Sequence, residues 1–185
     1  MATSISICSN ALLMLGAKTI NSFDEDSDRA KLVANLWPSF LAWILRNHYW
    51  NCAKKRVILS PEVETPAFDW AYQFILPADW VRTLNVGERV AVEDFEQMGN
   101  RILFNSNVLY LTYISDSVTQ YDNELVNLLE VGMAARMAYA ITQSASLQEA
   151  RMQEFKLALR SARAVDGMDE PPLEFRDSVL LNARY

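Results

Sequence analysis

The chain has 185 residues, of which 51% are hydrophobic, 11% aromatic and 22% charged. This length and composition are typical of one globular domain and exclude an intrinsically disordered chain, because enough apolar surface is available to offset the entropy lost on folding. The formal net charge of −6 argues against direct binding to nucleic acid, since affinity for phosphate depends on lysine and arginine.

The first helix is predicted over residues 4–16. Ser4 is placed to cap its start, and Gly16 stands where a left-handed residue would end it. Residues 1–16 lack a basic region and their apolar run is interrupted by polar residues, so we predict no signal peptide. No stretch reaches the roughly 18 apolar residues of a membrane span. We therefore expect a protein that is made in the cytoplasm and does not enter a membrane.

The second helix is predicted over residues 27–47, after an acidic loop, with Asp26 or Ser27 as its cap. Apolar residues recur along one face of this helix at the spacing of a core helix. Pro38 lies inside it and predicts either a kink or a division into two pieces.

Residues 52–114 contain several β-prone segments, which predict an inserted β layer. We predict that the segments 101–104 and 108–114 form a β-hairpin through the turn at 105–107. The sequence leaves open whether the strands form one sheet or a small barrel. The β-prone segments are 57–59, 70–76, 80–86, 101–104 and 108–114.

Helical spacing returns over residues 121–144 and 146–166, and residues 170–185 are predicted to form an extended C-terminal arm. The predicted class is therefore α+β: a bundle of about four helices with an inserted antiparallel β layer or small barrel. Residues 1–169 are predicted to form a single domain.

No pattern of catalytic or metal-binding residues stands out. His48 is the only histidine, and neither Cys8 nor Cys52 lies at a metal-ligand spacing from it, so a structural role is favoured. The acidic residues 24–28 lack the glycine and distal glutamate of a calcium loop and are interpreted as a solvated loop. No glycine lies in a phosphate-binding motif. The sequence therefore predicts neither an enzyme nor a cofactor.

Candidate interface residues lie in three places. The basic run Lys54, Lys55 and Arg56 is interpreted as the solvated face of a strand, with a charged contact between subunits as the alternative. Trp43 falls off the centre of the apolar stripe on the second helix and is the interface candidate there. The candidates in the arm are Leu173, Phe175, Arg176, Arg184 and Tyr185.

Several of these features occur in an order that resembles a known family. They are Leu15-Gly16, the acidic residues 24–28, the helical stretch 32–47 and Trp50-Asn51-Cys52-Ala53, followed by FDWAYQFILPADWVRTLNV and RILFNSNVLYLTYISDSVTQYDNELVNLLEVGMAARMAYAITQS. Together they resemble the tail tubular protein A family, the head-to-tail adaptors of short-tailed bacteriophages. The resemblance covers residues 11–169, approximately.

The resemblance implies a structural virion protein at the head-tail junction, without catalytic residues. It implies a homo-oligomeric ring, dodecameric in that family, which docks on the portal protein and presents its other side to the tail nozzle protein. DNA would pass through the lumen without specific binding, because a negative lumen does not attract phosphate. A closed ring needs head-to-tail contacts, for which the aromatic residues and the arm are candidates.

Two other classes remain open from the residues alone. A small phage muralytic enzyme would require a pair of carboxylates acting as acid and base. A generic α+β interaction module would be a monomer or a small dimer in solution.

Overall fold

The structure is a computed structural model that describes residues 2–87 and 94–169. Within these ranges the chain forms two helices, then six strands, then two helices, and the predicted α+β class is confirmed. The helices share one large apolar core, and the strands enclose a second, smaller one. The predicted arm, residues 170–185, lies outside the described residues.

Helix α1 spans Ser4–Leu13 and is shorter than predicted. Its cap is Thr3, so the prediction of Ser4 was wrong. Thr3 has an extended backbone and its hydroxyl accepts from the Ser6 amide at 3.1 Å, while the Ser6 hydroxyl accepts from the Thr3 amide at 2.8 Å. Gly16 has a φ of +73°, which is the left-handed conformation predicted for it.

Helix α2 spans Asp28–Arg46, and Ser27 caps it by accepting from the Ala30 amide at 3.2 Å. Pro38 lies inside this helix, but the helix is continuous, so the alternative of two pieces was wrong. A proline removes a single amide donor, and the buried side chains on either side of it, Trp37 and Phe40, hold the helix against the core.

The six strands form two antiparallel sheets of three strands each. One sheet has the order β1-β6-β3 and the other the order β2-β5-β4. The strands are β1 (Lys54–Leu59), β2 (Tyr72–Ile75), β3 (Trp80–Val86), β4 (Glu96–Met98), β5 (Arg101–Phe104) and β6 (Leu109–Ser115).

The predicted hairpin between residues 101–104 and 108–114 was wrong. Strands β5 and β6 follow each other in the chain but belong to different sheets. Apolar residues of both strands, among them Ile102 and Leu111, contribute to one core. The residues between these strands therefore carry the chain from one sheet to the other. Both sheets bury apolar side chains in the same core. The β layer thus consists of two small sheets that share a core.

Helices α3 (Asn123–Thr142) and α4 (Ala145–Met168) are capped by Asp122 and Ser144. Helix α4 runs two residues beyond the predicted end at 166. None of the described helices is long and apolar enough to cross a membrane. Ile114 of β6 belongs to the helical core, so this strand joins the β layer to the bundle.

Candidate subunit interface

The basic run on β1 is only partly available for a partner. The ammonium of Lys55 lies 2.7 Å from Oδ2 of Asp79, in the turn before β3. Asp79 also accepts hydrogen bonds from the hydroxyls of Tyr113, at 2.9 Å, and Ser115, at 2.8 Å. Lys55 is therefore paired within its own chain. This arrangement fastens the turn before β3 to the neighbouring strands β1 and β6.

The pKa values of two members of this network, Asp79 and Tyr113, are shifted. The hydrogen bond from Lys55, helped by those from Ser115 and Tyr113, outweighs the effect of burial and lowers the pKa of Asp79 to about 2. Burial, reinforced by the neighbouring Asp79, raises the pKa of Tyr113 to about 12. At neutral pH the network therefore consists of a carboxylate, an ammonium and two hydroxyls.

The other two basic residues of the run differ in exposure. Arg56 is exposed, beside Ile58, which is 65% exposed. Ile58 pairs across the strands with the half-exposed Tyr110. Lys54 is half-buried and has an interaction of its own. Of the three, Arg56 is the one that lies on an outer surface next to apolar side chains.

Trp43 lies at the surface of the bundle with 42% of its area exposed, so its predicted position off the core stripe is confirmed. Its ring centroid is 6.2 Å from that of Phe155 on α4. The guanidinium of Arg136 on α3 lies 5.8 Å from the Trp43 centroid and 4.8 Å from that of the buried Phe40. These contacts position the indole and leave part of its surface exposed, so that it can contact a partner.

Further arginines surround the end of α2. The guanidinium of Arg82, on β3, lies 4.5 Å from the centre of the half-exposed Tyr49 ring and donates to its hydroxyl at 2.9 Å. Arg46 donates to the Val81 carbonyl at 3.0 Å. Arg163, on α4, donates to the Asn47 carbonyl at 3.1 Å. Each guanidinium is positioned by neutral groups of this chain.

We call this surface the arginine–aromatic band. Within the described residues, none of its four arginines forms an ion pair with a carboxylate. Spacing in the sequence does not reveal the band, because its members come from α2 and the segment after it, β3, α3 and α4. Only Trp43 among them was a predicted interface residue. The members of the band are Trp43, Arg46, Tyr49, Arg82, Arg136 and Arg163.

The structural role predicted for His48 has a specific contact. Its Nε2 lies 2.9 Å from Oδ2 of the buried Asp166, near the end of α4, and the other carboxylate oxygen accepts from the Asn51 amide at 2.9 Å. Asp166 therefore ties the end of α4 to the connection between α2 and β1. This contact also holds Arg163, one turn earlier on α4, beside the end of α2.

The remaining interface candidates, in the arm, lie outside the described residues. Among residues 2–87 and 94–169, no group of three or more histidine, cysteine, aspartate or glutamate side chains is placed to hold a metal ion. The candidates in the arm are Leu173, Phe175, Arg176, Arg184 and Tyr185.

No protein-family model matches the sequence, and no curated protein matches it either.

Proposed function

We propose that this chain is a structural subunit of the bacteriophage head-tail junction, forming a ring between the portal protein and the tail nozzle protein. The observation that carries the proposal is the arginine–aromatic band. Arginine, tryptophan and tyrosine are the residues enriched at the centres of protein interfaces. The kind of assembly, a ring between portal and nozzle, is inferred from the sequence features that resemble the tail tubular protein A family.

The charges of the band favour a protein partner over solvent exposure alone. The whole chain carries a formal net charge of −6, yet four arginines gather around one end of α2 without a carboxylate partner among the described residues. Opposite charges on a partner steer association and fix its register. A half-exposed Trp43 and Tyr49 among them add apolar area to the same surface.

DNA passes through the ring in this proposal without being bound. Sequence-independent affinity for DNA comes from lysine and arginine that neutralise phosphates, and an acidic chain opposes such binding. We therefore expect the arginine–aromatic band to lie between subunits, with acidic surface facing the lumen. The site of action is the head-tail junction of the virion.

Electron micrographs of the purified chain mixed with portal rings of the same phage test this function. We expect an additional ring, coaxial with the portal. The muralytic alternative predicts instead that the chain cleaves purified peptidoglycan and adds no density to the portal. That result would contradict the proposal.

The C-terminal arm is proposed as the anchor on the portal. Deletion of residues 171–185 is expected to abolish docking, because this segment contains apolar, aromatic and arginine residues of the kinds found at protein interfaces. Co-sedimentation of the full-length and shortened chains with portal rings measures this. Equal docking of both chains would exclude the arm as the anchor, and unchanged circular dichroism of the shortened chain is the control for folding.

A further inference from the structure

The acidic segment 24–28 lies at the opposite end of α2 from the arginine–aromatic band. Four of its five residues are aspartate or glutamate, and Asp24, Asp26 and Asp28 are exposed. Asp26 forms an ion pair with Lys31 at 2.6 Å, but both side chains remain largely exposed, so that pair contributes little. The segment therefore presents negative charge to the outside.

The two charged surfaces of one copy are kept apart by the helix between them. Helix α2 has 19 residues, which corresponds to a length of about 28 Å at the usual rise of an α-helix. The acidic segment ends at Asp28, the first residue of α2, and the band surrounds the last turns of the helix. An aspartate of the segment therefore does not reach the arginines of its own chain.

From this arrangement we infer that the arginine–aromatic band receives the acidic segment 24–28 of a second copy of the chain. The inference rests on the proposed ring and names its subunit contact. Two different surfaces meet in such a contact, and repetition of a head-to-tail contact generates a ring when the rotation closes. Other surfaces of two copies repel each other because the chain is acidic. The pairing of band and segment therefore also fixes how neighbouring subunits align.

The chemistry of the two surfaces is complementary in detail. The guanidiniums of the band are positioned by carbonyls, a phenol and aromatic rings, and planar guanidiniums bind carboxylates with paired hydrogen bonds. The half-exposed Trp43 and Tyr49 offer apolar area to Phe23, which is half-buried beside the acidic segment. Charge and apolar area therefore meet in one contact.

Charge reversal on each surface, followed by mixing, tests the contact. The band variant carries Arg46→Glu and Arg136→Glu, and the segment variant carries Asp24→Lys and Asp26→Lys. All four positions are exposed, so folding is expected to persist and is checked by circular dichroism. Sedimentation velocity at low ionic strength measures the self-association of the full chain, because screening by salt is weakest there.

We expect the wild-type chain to self-associate and each variant alone to do so at least about tenfold more weakly. An equal mixture of the two variants should associate within about threefold of the wild type, because the reversed band of one copy meets the reversed segment of the other. The remaining contact in the mixture joins two unaltered surfaces. A control variant with Lys156→Glu and Arg160→Glu, exposed on α4, should associate like the wild type.

Any of three sedimentation results would overturn the inference: a wild-type chain that stays monomeric at every concentration, variants that associate normally, or a mixture that associates no better than its components. Binding of duplex DNA that the band variant abolishes would also overturn it, because the occupant would then be nucleic acid. Coaxial rings on the portal in micrographs remain the separate test of the proposed function. Failure of the subunit contact is thereby distinguished from failure of the function.

Discussion

Replacement of Gly132 by alanine is expected to lower the free energy of unfolding by about 1–3 kcal/mol, net of the roughly 1 kcal/mol that alanine gains in a helix. A Cβ at this position would overlap Cζ of Phe40 and would lie 2.7 Å from Cε2 of Phe155. Phe40 is fully buried, so its ring does not move aside without disturbing the core between α2, α3 and α4.

Chemical denaturation followed by circular dichroism measures this change. Gly167→Ala on α4 is the matched control, because no atom of the described residues lies within 4 Å of its added Cβ. The control is expected to stabilise the protein by up to about 1 kcal/mol. If both substitutions stabilise the chain equally, the close packing of Phe40 and Phe155 against Gly132 is refuted.

Replacement of Asp79 by alanine is expected to lower the free energy of unfolding by about 2–3 kcal/mol at pH 7. The substitution leaves the ammonium of Lys55 and the hydroxyls of Tyr113 and Ser115 without their shared acceptor, and the last two residues are buried. Asp26→Ala is the control, since its ion pair with Lys31 is exposed and its loss should cost less than about 0.5 kcal/mol.

The effect of Asp79→Ala depends on pH in a defined direction. The pKa of Asp79 is lowered from its ordinary value of 3.8 to about 2, so folding favours its charged form. Its ionic contribution is therefore fully present above the unfolded pKa and is lost as the pH falls through the folded pKa. Denaturation at pH 7 and pH 3 should show a smaller difference between wild type and variant at pH 3. An equal or larger difference would contradict this role.

The helical half of the fold could be predicted from the sequence because its signals are local. The apolar spacing and the cap at Ser27 place α2 within one residue of its observed ends. The caps and turns of the other helices, such as Gly16, are equally short-range. The cap of α1 differs from the prediction by one position: it is Thr3 and not Ser4, because Thr3 and Ser6 exchange hydrogen bonds between their hydroxyls and amides.

The pairing of strands could not be predicted in the same way. The residues 105–107 carry the signals of a turn, but a turn does not determine whether the next strand pairs with the last one. The partners of β6 are β1 and β3, which come much earlier in the chain. Those pairings are set by the shared apolar core, which is visible only once the chain is folded.

The candidate interface was predicted only in part, because most of its residues come from elements that are far apart in the sequence. Trp43 is detectable from helical spacing alone, because it lies off the apolar stripe of α2. Lys55 looked equally available in the sequence, but Asp79, from the turn before β3, pairs with it. Arg82, Arg136 and Arg163 reach the end of α2 from three other elements, and no spacing in the sequence links them.

Electron cryomicroscopy of the tail vertex of the phage particle tests the proposed function. We expect a closed ring of copies of this chain between portal and nozzle, with the band around Trp43 and Arg46 buried between neighbouring subunits. A head-tail junction built without this chain would refute the proposal.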